Sequence, residues 1–148
     1  MANPSFQAVM HMIRAHALVE DRFAGELAAV HGLALKEALL LMHLSNAPLA
    51  RLSRIDLAKR LSVSPSTVTR MAWPLEKLGL LDRMADARDA RLAYVVLTET
   101  GKALLANAVT TIERMSLELF RDRWSKQDIA TLSQLLGRMT IGLPGELV

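Results

Sequence analysis

The run Ser64-Pro65-Ser66-Thr67-Val68-Thr69-Arg70, with Trp73 and Lys77 just beyond it, gathers short hydroxyls, a guanidinium, an indole and an ammonium in one stretch. At about 100° per residue on a helix, Val68, Ala72 and Leu75 share one face, with Met71 and Leu78 at its margin, while Ser66, Arg70, Trp73 and Lys77 fall opposite. That outer face is polar, basic and aromatic. Small hydroxyl residues let a helix approach a partner closely, and arginine's planar donor fork matches phosphate or the acceptor edge of guanine. Ser64 is also the expected cap of this helix, because its oxygen can accept an orphan N–H and Pro65 suits the first helical position. A second set of charges, Asp86, Arg88, Asp89 and Arg91, occupies a polar loop, where Arg88 and Arg91 are the candidate contacts and Asp89 the brace that orients an arginine.

Other chemistries lack their residues. With no cysteine there is no disulfide, thiolate metal site or thiol nucleophile. His11, His16, His31 and His43 are the only histidines, and the pair His11 and His16, with Glu20 beyond, has poor spacing for a shared ion. No metal, cofactor or catalytic residue is assigned, and no GxSxG, phosphate-binding loop or dinucleotide fingerprint points to an enzyme.

The 148 residues, 51% hydrophobic and 22% charged, match one compact domain. The net charge of +3 is small, but its distribution is uneven. Between Arg51 and Arg91 nine basic residues stand against five acidic ones, so the whole excess lies in the middle of the chain, as a polyanionic partner requires. No apolar run is long enough to span a bilayer and the N-terminus does not resemble a signal peptide, so a cytoplasmic protein without a membrane partner is expected.

Apolar periodicity predicts a long helix from Phe6 to Val30, stopped at Gly32, and a buried helix from Leu35 to Leu44, ended by Asn46 and Pro48. A short helix follows over Arg54–Leu61, with Ile55, Ala58 and Leu61 inward, then the turn Ser62-Val63 and the helix Ser64–Leu78, stopped by Gly79. Leu80–Met84 and Leu92–Leu97 predict a two-stranded ribbon. Thr98 caps another long helix with the stripe Leu104, Leu105, Ala108, Ile112, Met115 and Leu119, and Ser125 with Asp128 forms a capping box for a last helix to Met139. Pro144 and Gly145 predict a frayed end. The fold class is mainly α with a small β-wing: a helix-turn-helix with an attached ribbon, flanked by long terminal helices whose apolar surface calls for a second copy of the chain.

In order along the chain, Ser64-Pro65-Ser66-Thr67-Val68-Thr69-Arg70, Leu75-Glu76-Lys77-Leu78-Gly79-Leu80-Leu81, Asp86 to Arg91, and Val96-Leu97-Thr98-Glu99-Thr100-Gly101 resemble successive motifs of the MarR family of bacterial transcriptional regulators. The resemblance implies a single domain over 1–148, with 1–33 and 99–148 as a helical dimerisation region and 34–98 as a winged helix-turn-helix lobe. It implies a homodimer that binds palindromic promoter DNA, with Ser66, Thr67, Thr69 and Arg70 touching bases or phosphates and Arg91 as the wing arginine supported by Asp89. Two departures stand out. Ala87 and Ala90 replace a proline and an arginine common in the family's wing, and Pro74 lies inside the recognition helix, where it frees the Arg70 carbonyl and predicts a bend.

Members of the family often release DNA when a small aromatic acid or phenol binds. Residue type and position offer Met10, Met12, Arg14 and His16 on the first helix and Met42 and His43 on the second as the effector site. The expected function is a ligand-responsive repressor of transcription. The alternative is a winged-helix protein acting mainly through protein contacts, without effector-controlled DNA binding.

Overall fold

The computed structural model describes residues 3–89 and 91–148; Ala90, part of the wing loop, lies outside them. The chain divides after Leu35 into two compact units. The first holds α1 (Pro4–His31), capped by Asn3, whose side chain accepts the Ser5 N–H at 2.9 Å, and closed by Gly32 in the left-handed conformation at φ 65°. A left-handed residue lets the chain satisfy the last helical carbonyls and leave the axis, and here the Gly32 N–H serves Leu27 and Ala28. Phe23 and Leu27 are buried, whereas Phe6, Val9, Ile13, Leu18 and Val30 are exposed.

The second unit begins with α2 (Leu35–Ser45), which buries Ala38, Leu40, Leu41, His43 and Leu44, as its nearly unbroken apolar sequence requires. A single 3-10 turn, Pro48–Ala50, leads into β1 (Arg51–Ser53). Ser53 then caps α3 (Arg54–Leu61) by accepting the Asp56 N–H, and Ser62, left-handed at φ 53°, closes it. After the turn come α4 (Pro65–Lys77), β2 (Leu81–Ala85), β3 (Ala93–Leu97), α5 (Glu99–Leu119) and α6 (Lys126–Met139).

Four expectations are corrected. The ribbon is a three-stranded antiparallel sheet in the order β1-β3-β2, with Leu52 opposite Val95 and Arg83 opposite Val95 from the other side. β1 has three residues and one buried side chain, too short for alternation to register. In α3 the inward set is Leu57, Ala58 and Leu61, while Ile55 is 51% exposed, because it sits in the first turn beyond the reach of the core. Leu78, at the C-cap of α4, is 66% exposed rather than inward. The chain end has no helix, as Pro144-Gly145 predicts, but it is tied down: Asn46 Nδ2 donates to the Glu146 carbonyl at 3.3 Å, and the Arg60 side chain lies against Gly145.

Two contacts fix the sheet to the helices around it. The Thr98 hydroxyl, while accepting the Gly101 N–H to cap α5, donates to the Gly79 carbonyl at 2.6 Å, so the end of α4 and the start of α5 are joined through one side chain. Gly101 lies so close to the residue before β2 and the end of β3 that a Cβ there would collide with the Leu80 carbonyl oxygen and the Leu97 side chain. α6 has its expected capping box, Ser125 with Asp128, yet none of its residues is buried.

Candidate nucleic-acid interface

The site is built on α4. Val68, Ala72 and Leu75 anchor it in the core, so the opposite face must point outward. Ser64 caps the helix by accepting the Thr67 N–H at 3.2 Å, and its hydroxyl lies 3.0 Å from that of Ser66 and 2.9 Å from that of Thr67. The Thr67 hydroxyl in turn accepts from Arg70 Nη2 at 3.2 Å, which lays the guanidinium back along the first turns of the helix. Thr69 donates to the Pro65 carbonyl at 3.2 Å and accepts from Arg54 Nη1 at 3.0 Å. The hydroxyl run therefore forms two hydrogen-bonded sets, one through Ser64, Ser66 and Thr67 that holds Arg70 and one through Thr69 that holds Arg54. α4 stays helical through Pro74 to Lys77. Trp73, 55% exposed, carries the Lys77 ammonium 3.6 Å above its ring, so the two form one cationic, flat-sided unit on the outer face.

The wing is braced by its acids. Asp86 Oδ1 accepts the backbone N–H of Arg88 at 2.7 Å and of Asp89 at 3.3 Å, and its other oxygen accepts the Tyr94 hydroxyl at 2.9 Å. The Arg88 N–H, with the Tyr94 hydroxyl behind it, holds the Asp86 carboxyl below the usual carboxylate range, and the same hydroxyl bond pushes the Tyr94 phenol up. Asp89 accepts the backbone N–H of Arg91 at 2.9 Å, so it braces the loop at the arginine's main chain. Both carboxylates are thus turned toward backbone donors, while the side chains of Arg88 and Arg91 belong to exposed residues.

Three participants escape a linear reading. Asp86 has the spacing of an Asx turn, a signal that the sequence does carry. Arg54 reaches Thr69 across the turn between helices, and Arg83 pairs with Glu76 at 2.8 Å, and neither contact is marked by spacing. The residues expected to hold an effector are scattered in character. On α1, Met10, Arg14 and His16 are exposed, Met12 is half-buried, and His16 faces Glu20 at 3.5 Å. On α2, Met42 is half-buried and His43 is 3% exposed, its Nδ1 without a hydrogen-bond partner among the described residues.

Comparison with known proteins agrees with this geometry. The MarR family's sequence model matches residues 33–92, from just before α2 into the wing. The Bacillus subtilis protein described as uncharacterized HTH-type transcriptional regulator YxaD is 34% identical over 85 residues, 57% of this chain and 58% of its own length. The chain spans little more than half the length of the curated relatives it matches. The Streptomyces coelicolor MarR family regulator Sco3205, solved in complex with DNA, superposes with a TM-score of 0.83 over 99% of this chain and 92% of its own, at 24% identity. Bordetella bronchiseptica BpsR, solved in a study of how 6-hydroxynicotinic acid regulates its DNA binding, has a TM-score of 0.80 over 96% and 99% at 22% identity. At such identities the solved structures establish the shared fold. With the winged helix-turn-helix in place and the family's sequence model matched over residues 33–92, this segment of the chain is similar to the MarR family of transcriptional regulators.

Proposed function

We propose that the chain is a sequence-specific DNA-binding regulator of transcription, a cytoplasmic repressor that binds palindromic promoter DNA as a homodimer. The observation that carries this reading is the outer face of α4, where Ser66, Arg70, resting on the half-buried Thr67, and the Trp73–Lys77 unit stand exposed beside a wing whose acids are occupied by its own backbone. A helix of this kind fits the major groove, with its first turns against base edges, and a narrow arginine-bearing loop fits the adjoining minor groove. Ser64 acts mainly through the cap, and Thr69 through its hold on Arg54.

In this reading residues 34–98 are the DNA-reading lobe, and residues 1–33 and 99–148 supply the dimer contacts. The apolar positions left exposed on α6, Leu135, Leu136 and Met139, support a second copy as their cover. A small aromatic acid controls release, with Met10, Met12, Arg14, His16, Met42 and His43 as the residues to test; the regulation of BpsR by 6-hydroxynicotinic acid supports that ligand class. The test is an electrophoretic shift on a duplex selected from random sequence, in rising salt. Tight binding that falls steeply with salt is expected, since each neutralised phosphate releases a counterion. Absence of salt-dependent binding favours a protein-interaction module instead. A thermal-shift screen of aromatic acids, followed by loss of the DNA complex, tests the effector.

A further inference from the structure

A cleft of about 210 Å³ lies among α3, α4 and the wing, lined by Arg54, Thr69, Glu76, Arg83, Arg91 and Tyr94 among others. Three guanidinium groups and one carboxylate line it. Arg83 is committed to that carboxylate, its Nε standing 2.8 and 3.0 Å from the two oxygens of Glu76. Among the described residues, the guanidinium groups of Arg54 and Arg91 meet no carboxylate, the Asp89 contact being to the Arg91 backbone N–H. Arg54 leans on a neutral acceptor, the Thr69 hydroxyl, and that bond occupies one of its five donors. The cleft therefore holds two guanidinium charges without an internal counterion, together with an acid whose charge is offset by its pairing with Arg83.

We infer that this cleft seats a phosphate of the DNA strand that passes between the groove entered by α4 and the groove touched by the wing, held by Arg54 from α3 and Arg91 from the wing loop. The inference rests on the DNA-binding reading above and adds to it a residue outside the recognition helix and the wing. Geometry selects this occupant. Any duplex read by both α4 and the wing must thread one sugar-phosphate strand across the surface between them, where the unpaired cations lie. Val68, Ala72 and Val95 contribute apolar wall to the same cleft, which suits a deoxyribose face. Thr69 fixes the Arg54 guanidinium before DNA arrives, so less side-chain freedom is lost on binding.

Arg54→Gln, Arg54→Lys and Arg91→Gln test it, with affinity measured against salt on both the selected duplex and a random one. One phosphate contact contributes about 0.9 to the slope of log affinity against log salt, or roughly 3.5-fold in affinity over a fourfold rise in salt. Arg54→Gln is expected to lower the slope by about 1 on both duplexes and to leave the preference between them intact, with Arg54→Lys restoring the slope and Arg91→Gln behaving like Arg54→Gln. An unchanged slope in Arg54→Gln overturns the seat, as does a loss confined to the selected duplex, which would make Arg54 a base reader. Wild-type protein that binds neither duplex overturns the DNA-binding reading itself, a result separable from either of these. Because Arg54 is exposed, an unaltered melting temperature is expected to accompany each Arg54 variant.

Discussion

Arg70 and His43 show how single side chains can be read from their surroundings. Arg70 rests on the Thr67 hydroxyl, so it is partly ordered, and in the proposed reading it swings outward from there to a base edge. Arg70→Ala is expected to cost roughly 1–3 kcal/mol on the best site and much less on random duplex, measured by competition binding; equal losses would assign it to phosphate. His43 lies in the core of the second unit, where burial, reinforced by the positive charge of Arg60, lowers its pKa from the ordinary 6.5. The neutral ring is the native form, so its contribution to stability is whole above pH 6.5 and is lost as pH falls below that value toward the lowered one. Urea unfolding of wild type at pH 7.5 and 5.5 is expected to show a lower midpoint at the acid pH, and His43→Leu should shrink that difference. At this scale the sequence was legible where a residue acts on its near neighbours. Ser64 as cap follows from Ser-Pro at a helix start, whereas the Arg54–Thr69 bond depends on how two helices meet and has no local signature.

Among the elements, those with covalently local signals are the ones whose boundaries can be read. α5 and α6 start where Thr98 and Ser125 supply cap oxygens, and α1 stops where Gly32 permits a left-handed turn. β1 fails because its stability comes from pairing with β3, a partner more than forty positions along the chain. The wing was legible as a polar loop between strands, but not as a structure in which Asp86 gathers the turn; its acids look like repulsion until their backbone donors are located. Close packing of α5 on the sheet gives a test at this level. Gly101→Ala places a methyl group against the Leu80 carbonyl oxygen and the Leu97 side chain, and overpacking of this kind costs about 1–3 kcal/mol. Denaturant unfolding should register that loss, and an unchanged midpoint would mean that the α5–sheet junction yields easily.

For the whole molecule, the balance between buried and exposed apolar surface is the governing quantity. α6 buries none of its residues, and Leu135, Leu136 and Met139 stay 51%, 44% and 62% exposed. A periodic apolar stripe left open in this way is the part of the sequence that points beyond one chain, and no amount of intrachain packing explains it. The double variant Leu135→Glu, Leu136→Glu is expected to shift sedimentation from dimer to monomer while the second unit keeps its helical signal, since the capping box of α6 is untouched; a variant that stays dimeric would place the contact elsewhere. In the proposed reading association matters for function because two lobes held apart at a fixed distance would read two half-sites at once, and one lobe alone would bind with only its own contacts. Hydroxyl-radical footprinting of the wild-type protein on its selected duplex tests that account most directly. Two symmetric protected patches centred about one helical turn, roughly 10 base pairs, apart are predicted, and a single unpaired patch, or none, would contradict it.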